Sequence, residues 1–258
     1  MYAIVEFCQR KHASSHMNYN LQFHGRAESY LSALSKYPDV LAKEFSCAIR
    51  ECALTHGQTF LTIPSSCEQV APFLPTDLHI HHLAYETNKE LSDRTNVPYC
   101  TFDSIPCADN SVDTILSLAT LHHCTNEERV QFYKEAKRIL KTGGGKLVLG
   151  DVLRDSDQDR WLNVFVNEHN PMGHTGIFWS PDDAALLQSV GFTVTHTIQE
   201  YTWDFPDVPS MYDFVRRLFF LHSLSDSDLH DGLRKYLHAD FEKPSFRWKL
   251  IYFTALSP

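Results

Sequence analysis

The sequence predicts an α/β protein built around a mostly parallel sheet, on two main observations. Val112–Leu118 and Lys146–Leu149 read as strands, and an amphipathic helix over 126–140 lies between them. Strand, helix and strand in that order make a parallel crossover unit, which is almost always right-handed. The chain has 258 residues and is 43% hydrophobic. That suits one full α/β core with an extension or a small lid.

The elements follow in order. Residues 1–20 are mixed and polar and are expected to be poorly ordered. Tyr30, Leu31, Leu34 and Tyr37 mark one helical face, and Val40, Leu41, Phe45, Ala48 and Ile49 mark a second, with Pro38 between them. Thr59–Ile63 reads as a short buried strand and Leu78–Leu83 as a weaker one. In the 126–140 helix, Thr125 or Asn126 caps the start, and Glu127 and Glu128 suit its positive end. Lys137, Arg138 and Lys141 suit the other end, and Gly143–Gly145 stop it. Regularity loosens after Asp151. Ser180-Pro181-Asp182-Asp183 starts another helix, with proline at the first helical position, and Gly191 ends it. Phe192–Ile198 is a strand, Met211–Leu221 and Asp226–His238 are helical, and Phe246–Leu256 is the last strand. No internal repeat or low-complexity segment interrupts this pattern.

A net charge of −9 argues against a broad electrostatic grip on nucleic acid. The opening MYAIVEFCQRKH lacks the apolar stretch of a signal peptide, and no later run approaches a membrane span. Seven scattered cysteines without a CxxC fit reduced thiols in a cytoplasmic protein.

Ile105-Pro106-Cys107-Ala108-Asp109-Asn110-Ser111-Val112-Asp113 resembles the "LPFPDNSFD" approach to the fourth strand of class I S-adenosylmethionine (SAM) methyltransferases. Leu121-His122-His123 resembles the family's "LHH", and Arg138-Ile139-Leu140-Lys141-Thr142-Gly143-Gly144 its "RVLKPGG". The resemblance spans roughly residues 25–256 and is strongest at 105–150. It implies a doubly wound, Rossmann-like, seven-stranded sheet closing on an antiparallel edge. It also implies an N-terminal tail and helical lid over 1–54 and a methyltransferase-like domain over 55–258.

The resemblance further implies that SAM sits beyond the carboxyl ends of the strands, at the switch point of strand order. The family needs a glycine loop after the first strand and an acid after the second. This chain reads FLTIPSSCEQV at the loop. Aligned with the family's "VLDLGCGTG", Pro64, Ser66 and Glu68 fall on the glycines and Thr62 on that first-strand motif's acid. Proline removes an N–H, and Ser66 adds a β-carbon where close backbone approach is needed. Ser65 and Glu68 have capping-box spacing, so the loop reads as a strand running into a self-capped helix. The cofactor-side candidates are Ile63, Pro64, Ser65, Ser66, Glu86, Asp103 and Leu118. Glu86 is the second-strand acid, with Tyr85 as the alternative register.

His122 and His123 follow the fourth strand, where one of them can act as general base or both can pack the next helix. His174 lies in Asn170–Gly176, either a mobile wall over substrate or a surface loop. His79, His81 and His82 form an HxHH cluster, either polar strand-end residues or metal ligands, and no metal site is assigned from sequence. Tyr30 and Tyr37 are core residues or part of a lid. Trp161, Phe165, Phe178 and Trp179 are core or pocket aromatics. Cys67 is a small buried residue or a helix-terminal thiol. The functional expectation is a SAM-dependent methyltransferase acting on a small or carrier-linked metabolite. The alternative is a methyltransferase fold without methyl transfer, either a partner-binding protein or a SAM-independent enzyme such as a cyclase.

Overall fold

A computed structural model describes residues 25–65 and 69–258. The N-terminal tail, Cys67, Ser66 and Glu68 lie outside the described residues. Six strands form one sheet in the order β2-β1-β3-β4-β6-β5. These are β1 (Thr59–Thr62), β2 (His81–Ala84), β3 (Thr114–Leu118), β4 (Lys146–Val152), β5 (Thr193–Asp204) and β6 (Ser245–Leu256). β1 to β4 pair in parallel, and β6 runs antiparallel to both β4 and β5.

The seventh strand expected from the resemblance is reduced to a bridge. Tyr99 pairs with Glu86 beyond the end of β2. Glu86 N–H donates to the Pro98 carbonyl at 2.9 Å, and Cys100 N–H to the Glu86 carbonyl at 3.0 Å. Pro98 has no N–H to extend the ladder, so the pairing stays short.

β1, β3, β4 and most of β6 are buried on both faces, as crossover helices require, whereas the edge strands β2 and β5 are largely not. Phe60, Leu116, Leu118, Val148, Leu250 and Tyr252 face one layer. Helices α1 (Ala27–Lys36) and α2 (Ala42–Cys52) join them there, with α8 (Val208–Phe219) and α9 (Asp226–Leu237). Leu61, Ile63, Ile115, Leu147, Leu149, Ile251 and Phe253 face the other, against Phe132, Tyr133, Ala136 and Ile139 of α4 (Asn126–Ile139). Neighbouring residues thus alternate between layers with the period of two that a strand imposes. At roughly 25 cal/mol per Å² of apolar surface, each fully buried Leu, Ile or Phe contributes about 1.5–3 kcal/mol.

Thr125 is the N-cap of α4. Its Oγ accepts from Glu128 N–H at 3.2 Å, and the Glu128 carboxylate accepts from Thr125 N–H at 2.7 Å. The helix expected straight after β1 is absent among the described residues. That stretch contains only two short 3-10 turns, Ala71–Phe73 and Thr76–Leu78, with prolines at 72 and 75. Between β4 and Ser180, where the sequence looked irregular, lies a helical segment. It comprises α5 (Asp157–Arg160), a π-helical turn (Trp161–Val166) and α6 (Asn167–His169). Its buried Trp161, Leu162, Phe165 and Val166 recur at i, i+1, i+4 and i+5, a helical spacing that the sequence reading passed over. Between α2 and α4, α3 spans Lys89–Thr95; α7 (Ala184–Ser189) follows the Pro181–Asp183 turn. No helix among the described residues is long and apolar enough to cross a membrane.

Candidate active site

A cavity of about 150 Å³ opens at the carboxyl ends of the parallel strands. Chain order reverses there between β1 and β3, the usual ligand position in such sheets. Pro64 enters it from β1, Glu86 from β2, Leu118, Ala119 and Thr120 from β3, and Val152 from β4. Arg26, Tyr30 and Glu44 reach it from the N-terminal helical region, and Trp203 and Trp248 from the antiparallel strands.

The cofactor-side candidates separate. Glu86 is buried and lines the cavity. Its Oε1 accepts from the N–H groups of Thr87 (2.8 Å) and Asn88 (3.0 Å), and its Oε2 from Ser65 Oγ (3.1 Å). The Ser65 hydroxyl therefore fixes the acid; its capping-box partner Glu68 is not described. Tyr85 points elsewhere, its hydroxyl near the Pro106 carbonyl. Leu118 and Pro64 line the cavity. Ile63 does not, because strand alternation turns it into the opposite apolar layer. Asp103 is exposed in the tight Thr101–Ser104 turn, outside the cavity lining. Ser66 falls outside the described residues.

The three histidine candidates converge. His122 and His123 sit in a 3-10 turn after β3, and all three histidines are buried. Ring centroids are 4.0 Å apart for His122–His123, 5.4 Å for His122–His174 and 5.1 Å for His123–His174. Asp151, near the end of β4 and fully buried, orients His122. Its Oδ1 lies 2.9 Å from His122 Nδ1, and its Oδ2 accepts from His122 N–H at 3.1 Å. A carboxylate accepts only, so the His122 proton sits on Nδ1 and leaves Nε2 as a lone-pair donor. Asp151 was not singled out from sequence; its signal is an acid ending an otherwise apolar strand.

His174 is placed by asparagines of the preceding helical segment. Asn167 Oδ1 accepts from His174 N–H at 2.8 Å, and Asn163 Oδ1 accepts from Gly176 N–H at 2.6 Å. Asn163 also donates to the Gly176 carbonyl at 3.0 Å, while Asn170 donates to the Phe219 carbonyl at 3.0 Å. Ile177 N–H then reaches the His122 carbonyl at 2.8 Å. The 170–176 loop is thus pinned against the site rather than standing out as a surface loop.

Burial, then the charges of neighbouring rings and Arg26, hold His123 and His174 well below the ordinary imidazole range. Burial also lowers Arg26 to about 10. It pushes the Glu44 carboxyl up to about 7, with Tyr201 and Trp203 acting against it. The cavity therefore presents neutral imidazoles, one buried cation and one carboxyl titrating near neutrality.

The other candidates go to packing. His82 Nε2 lies 3.0 Å from Thr62 Oγ1, and its ring stacks on Phe60. His79 packs edge-on against His56, so HxHH does not converge. Tyr30 lines the cavity, whereas Tyr37 donates to Asp213 at 2.8 Å. Trp161, Phe165, Phe178 and Trp179 are core residues; Arg129 sits over the Trp179 ring. Burial pushes the Cys100 and Cys124 thiols up to about 12, which suits inert packing.

Residues 57–148 match the family model described as a methyltransferase domain. No curated protein matches the chain. Among solved structures, the chain resembles a Haloferax volcanii protein captured with the Trm112 methyltransferase activator. The two are 14% identical over 93% of this chain and 98% of that one, with a TM-score of 0.60. A SAM-dependent methyltransferase of Thermotoga maritima gives 16% identity, 93% and 100% coverage and a TM-score of 0.56. The cyclase SpnF gives 17%, 84%, 80% and 0.52. At such identities the structures establish the fold. That fold is the one the class I methyltransferases share, and the matched methyltransferase-domain model covers residues 57–148 of it.

Proposed function

We propose that the chain is a SAM-dependent methyltransferase acting on a small or carrier-linked metabolite held beside His122. One observation carries the reading: a buried acid and an Asp-oriented histidine line or border a single cavity at the strand switch point. The residues fit the cofactor at its ribose end. Glu86 presents a buried carboxylate, an acceptor-only group, on the cavity wall where ribose hydroxyls would lie. Leu91 and Leu118 supply apolar surface, and the Arg26 guanidinium suits a carboxylate.

Bound there, SAM would supply an electrophilic methyl group. This chain's own contribution is mainly proximity and orientation. His122 accepts the acceptor's proton at Nε2, while Asp151 stabilises the resulting imidazolium through Nδ1–H. α1 and α2 act as a lid that excludes water. No nucleic acid or membrane partner is invoked.

The test is calorimetric titration of SAM into the full chain, followed by transfer of labelled methyl groups to a metabolite pool. Micromolar SAM binding supports the reading; a folded chain that binds no SAM defeats it. A second reading rests on a specific feature. Pro64 and the buried Ser65 replace a glycine loop, and no α-helix among the described residues offers its N-terminus after β1. This favours a fold that has given up methyl transfer for partner binding or a SAM-independent reaction. Labelled product would exclude it.

A further inference from the structure

Among the described residues, one cluster has the donors and geometry of a metal site. His122, His123 and His174 each offer one ring nitrogen, and these nitrogens all lie within 4.8 Å of one another. Zinc–imidazole bonds of about 2.0–2.1 Å in a tetrahedral site require nitrogens roughly 3.3 Å apart. Metal binding would draw the three rings in from within 4.8 Å to that spacing.

Four further observations point the same way. First, the His174 Nδ1 is buried and has no hydrogen-bond partner, in a residue 7% exposed. A buried polar atom left unpaired calls for an unseen water or ion. Second, Asp151 holds His122 through Nδ1 at 2.9 Å. A carboxylate behind a ligating histidine is the usual second layer of a metal centre, fixing tautomer and ring direction. Third, Asn163 and Asn167 pin the His174 loop from a helical segment. The third ring is therefore held near the other two rather than delivered by a free loop. Fourth, the three histidines line a cavity that also receives Thr120 and the Arg26 guanidinium.

We propose that His122, His123 and His174 bind one divalent transition metal of the zinc class, with a fourth position open to the cavity. Three protein ligands and one open position are the pattern of a catalytic centre rather than a closed structural one. Three neutral imidazole ligands bring no charge to the metal directly, and the Arg26 guanidinium faces the same cavity. Arg26 favours an anionic fourth ligand: hydroxide, or a carboxylate or phosphate oxygen of a substrate that also meets Arg26.

This site uses none of Glu86, Pro64 or Leu118, so it stands whether or not SAM binds. The metal-bound state takes up His122 Nε2 as a ligand, and the proton acceptor is then a metal-bound hydroxide.

The experiment uses the full chain, stripped with a chelator and dialysed. Zn²⁺ is titrated by calorimetry and Co²⁺ by visible absorption, with metal content measured by mass spectrometry. One equivalent per chain is expected. His174→Gln and His122→Ala should each weaken binding at least tenfold, and His81→Ala should leave it unchanged. X-ray absorption on the Zn²⁺-loaded wild type needs no variant and should show an imidazole shell without thiolate. A folded chain that takes up no metal overturns the site. So does binding that survives His174→Gln, or a thiolate in the shell. SAM titrated into stripped and loaded samples separates this result from the cofactor reading, since either ligand can bind without the other.

Discussion

His122 Nδ1 and Asp151 Oδ1 are 2.9 Å apart, and both residues are buried. This contact ties the turn after β3 to the end of β4. The same carboxylate also accepts from Val152 N–H at 2.8 Å, so it is held by backbone as well as by the ring. Asp151→Asn should shift the imidazole proton from Nδ1 to Nε2. Nitrogen NMR on labelled histidine reads this directly, independent of any activity. A turnover that uses His122 as base should fall by about 10²–10⁴. Stability should fall by about 1–3 kcal/mol, because a buried acceptor position becomes a mispaired amide. Persistence of the Nδ1–H signal would show that Asp151 does not set the tautomer.

Glu86→Gln keeps the side chain's size but removes its charge. Thr87 and Asn88 N–H groups then face a weaker acceptor, and the ribose hydroxyls lose theirs. SAM affinity should drop about tenfold, equivalent to about 1.4 kcal/mol. Calorimetry on wild type and variant in parallel checks it. Equal affinities would remove Glu86 from the cofactor site.

Glu44 gives a pH signature. It is buried near Tyr201, Trp203 and Tyr252, with Asp151 adding a like charge, and its carboxyl is pushed up to about 7. The value in the fold lies above the ordinary 4.5. The stability it allows is therefore complete below about pH 4.5 and declines as pH rises, levelling off above about 7. The decline is on the order of 3 kcal/mol. Glu44→Gln should flatten this part of the pH–stability curve, measured by denaturant unfolding between pH 4.5 and 8. Parallel curves for the two proteins would contradict the assignment.

Gly232→Ala tests the packing of α9 on the π-helical turn. Alanine normally gains up to about 1 kcal/mol over glycine inside a helix. Here its β-carbon would fall on the buried Phe165 ring, which would have to shift. Overpacking costs about 1–3 kcal/mol, so the net effect should be a loss, with Tm falling by a few degrees. A raised Tm would mean the ring has room to move.

The parts of the fold that follow local rules were legible in the sequence. The α4 helix announced itself through Thr125, its acidic first turn and its glycine stop, and the parallel strands through short runs rich in Leu, Ile, Val and Phe, weakest at the histidine-bearing β2. Convergence was not legible. His122 and His174 are 52 positions apart, joined only because Asn163 and Asn167 fold a loop back onto the turn after β3. The π-helical turn carries helical apolar spacing at Trp161, Leu162, Phe165 and Val166, but nothing in that spacing distinguishes a π turn from an α turn. The Ser65–Glu86 bond joins residues 21 positions apart, which spacing within the loop could not reveal; the self-capping reading turns on Glu68, outside the described residues. Ile63 and Asp103 entered the candidate set by alignment to a motif. Strand alternation and an exposed turn, which motif matching does not weigh, put them elsewhere.

The uneven strand lengths have a mechanical consequence. β1 and β2 are four residues each, whereas β5 and β6 are twelve and pair along their full length. The cavity straddles the boundary between these halves. Glu86 and Pro64 belong to the short, soft side, and Asp151 to a strand zipped against the long one through seven register pairs. In hydrogen exchange, amides of β1 and β2 should open well before those of β5 and β6. A ligand can then enter or leave by loosening the Glu86 wall while the histidines keep their places, so the molecule has a hinged side and an anvil.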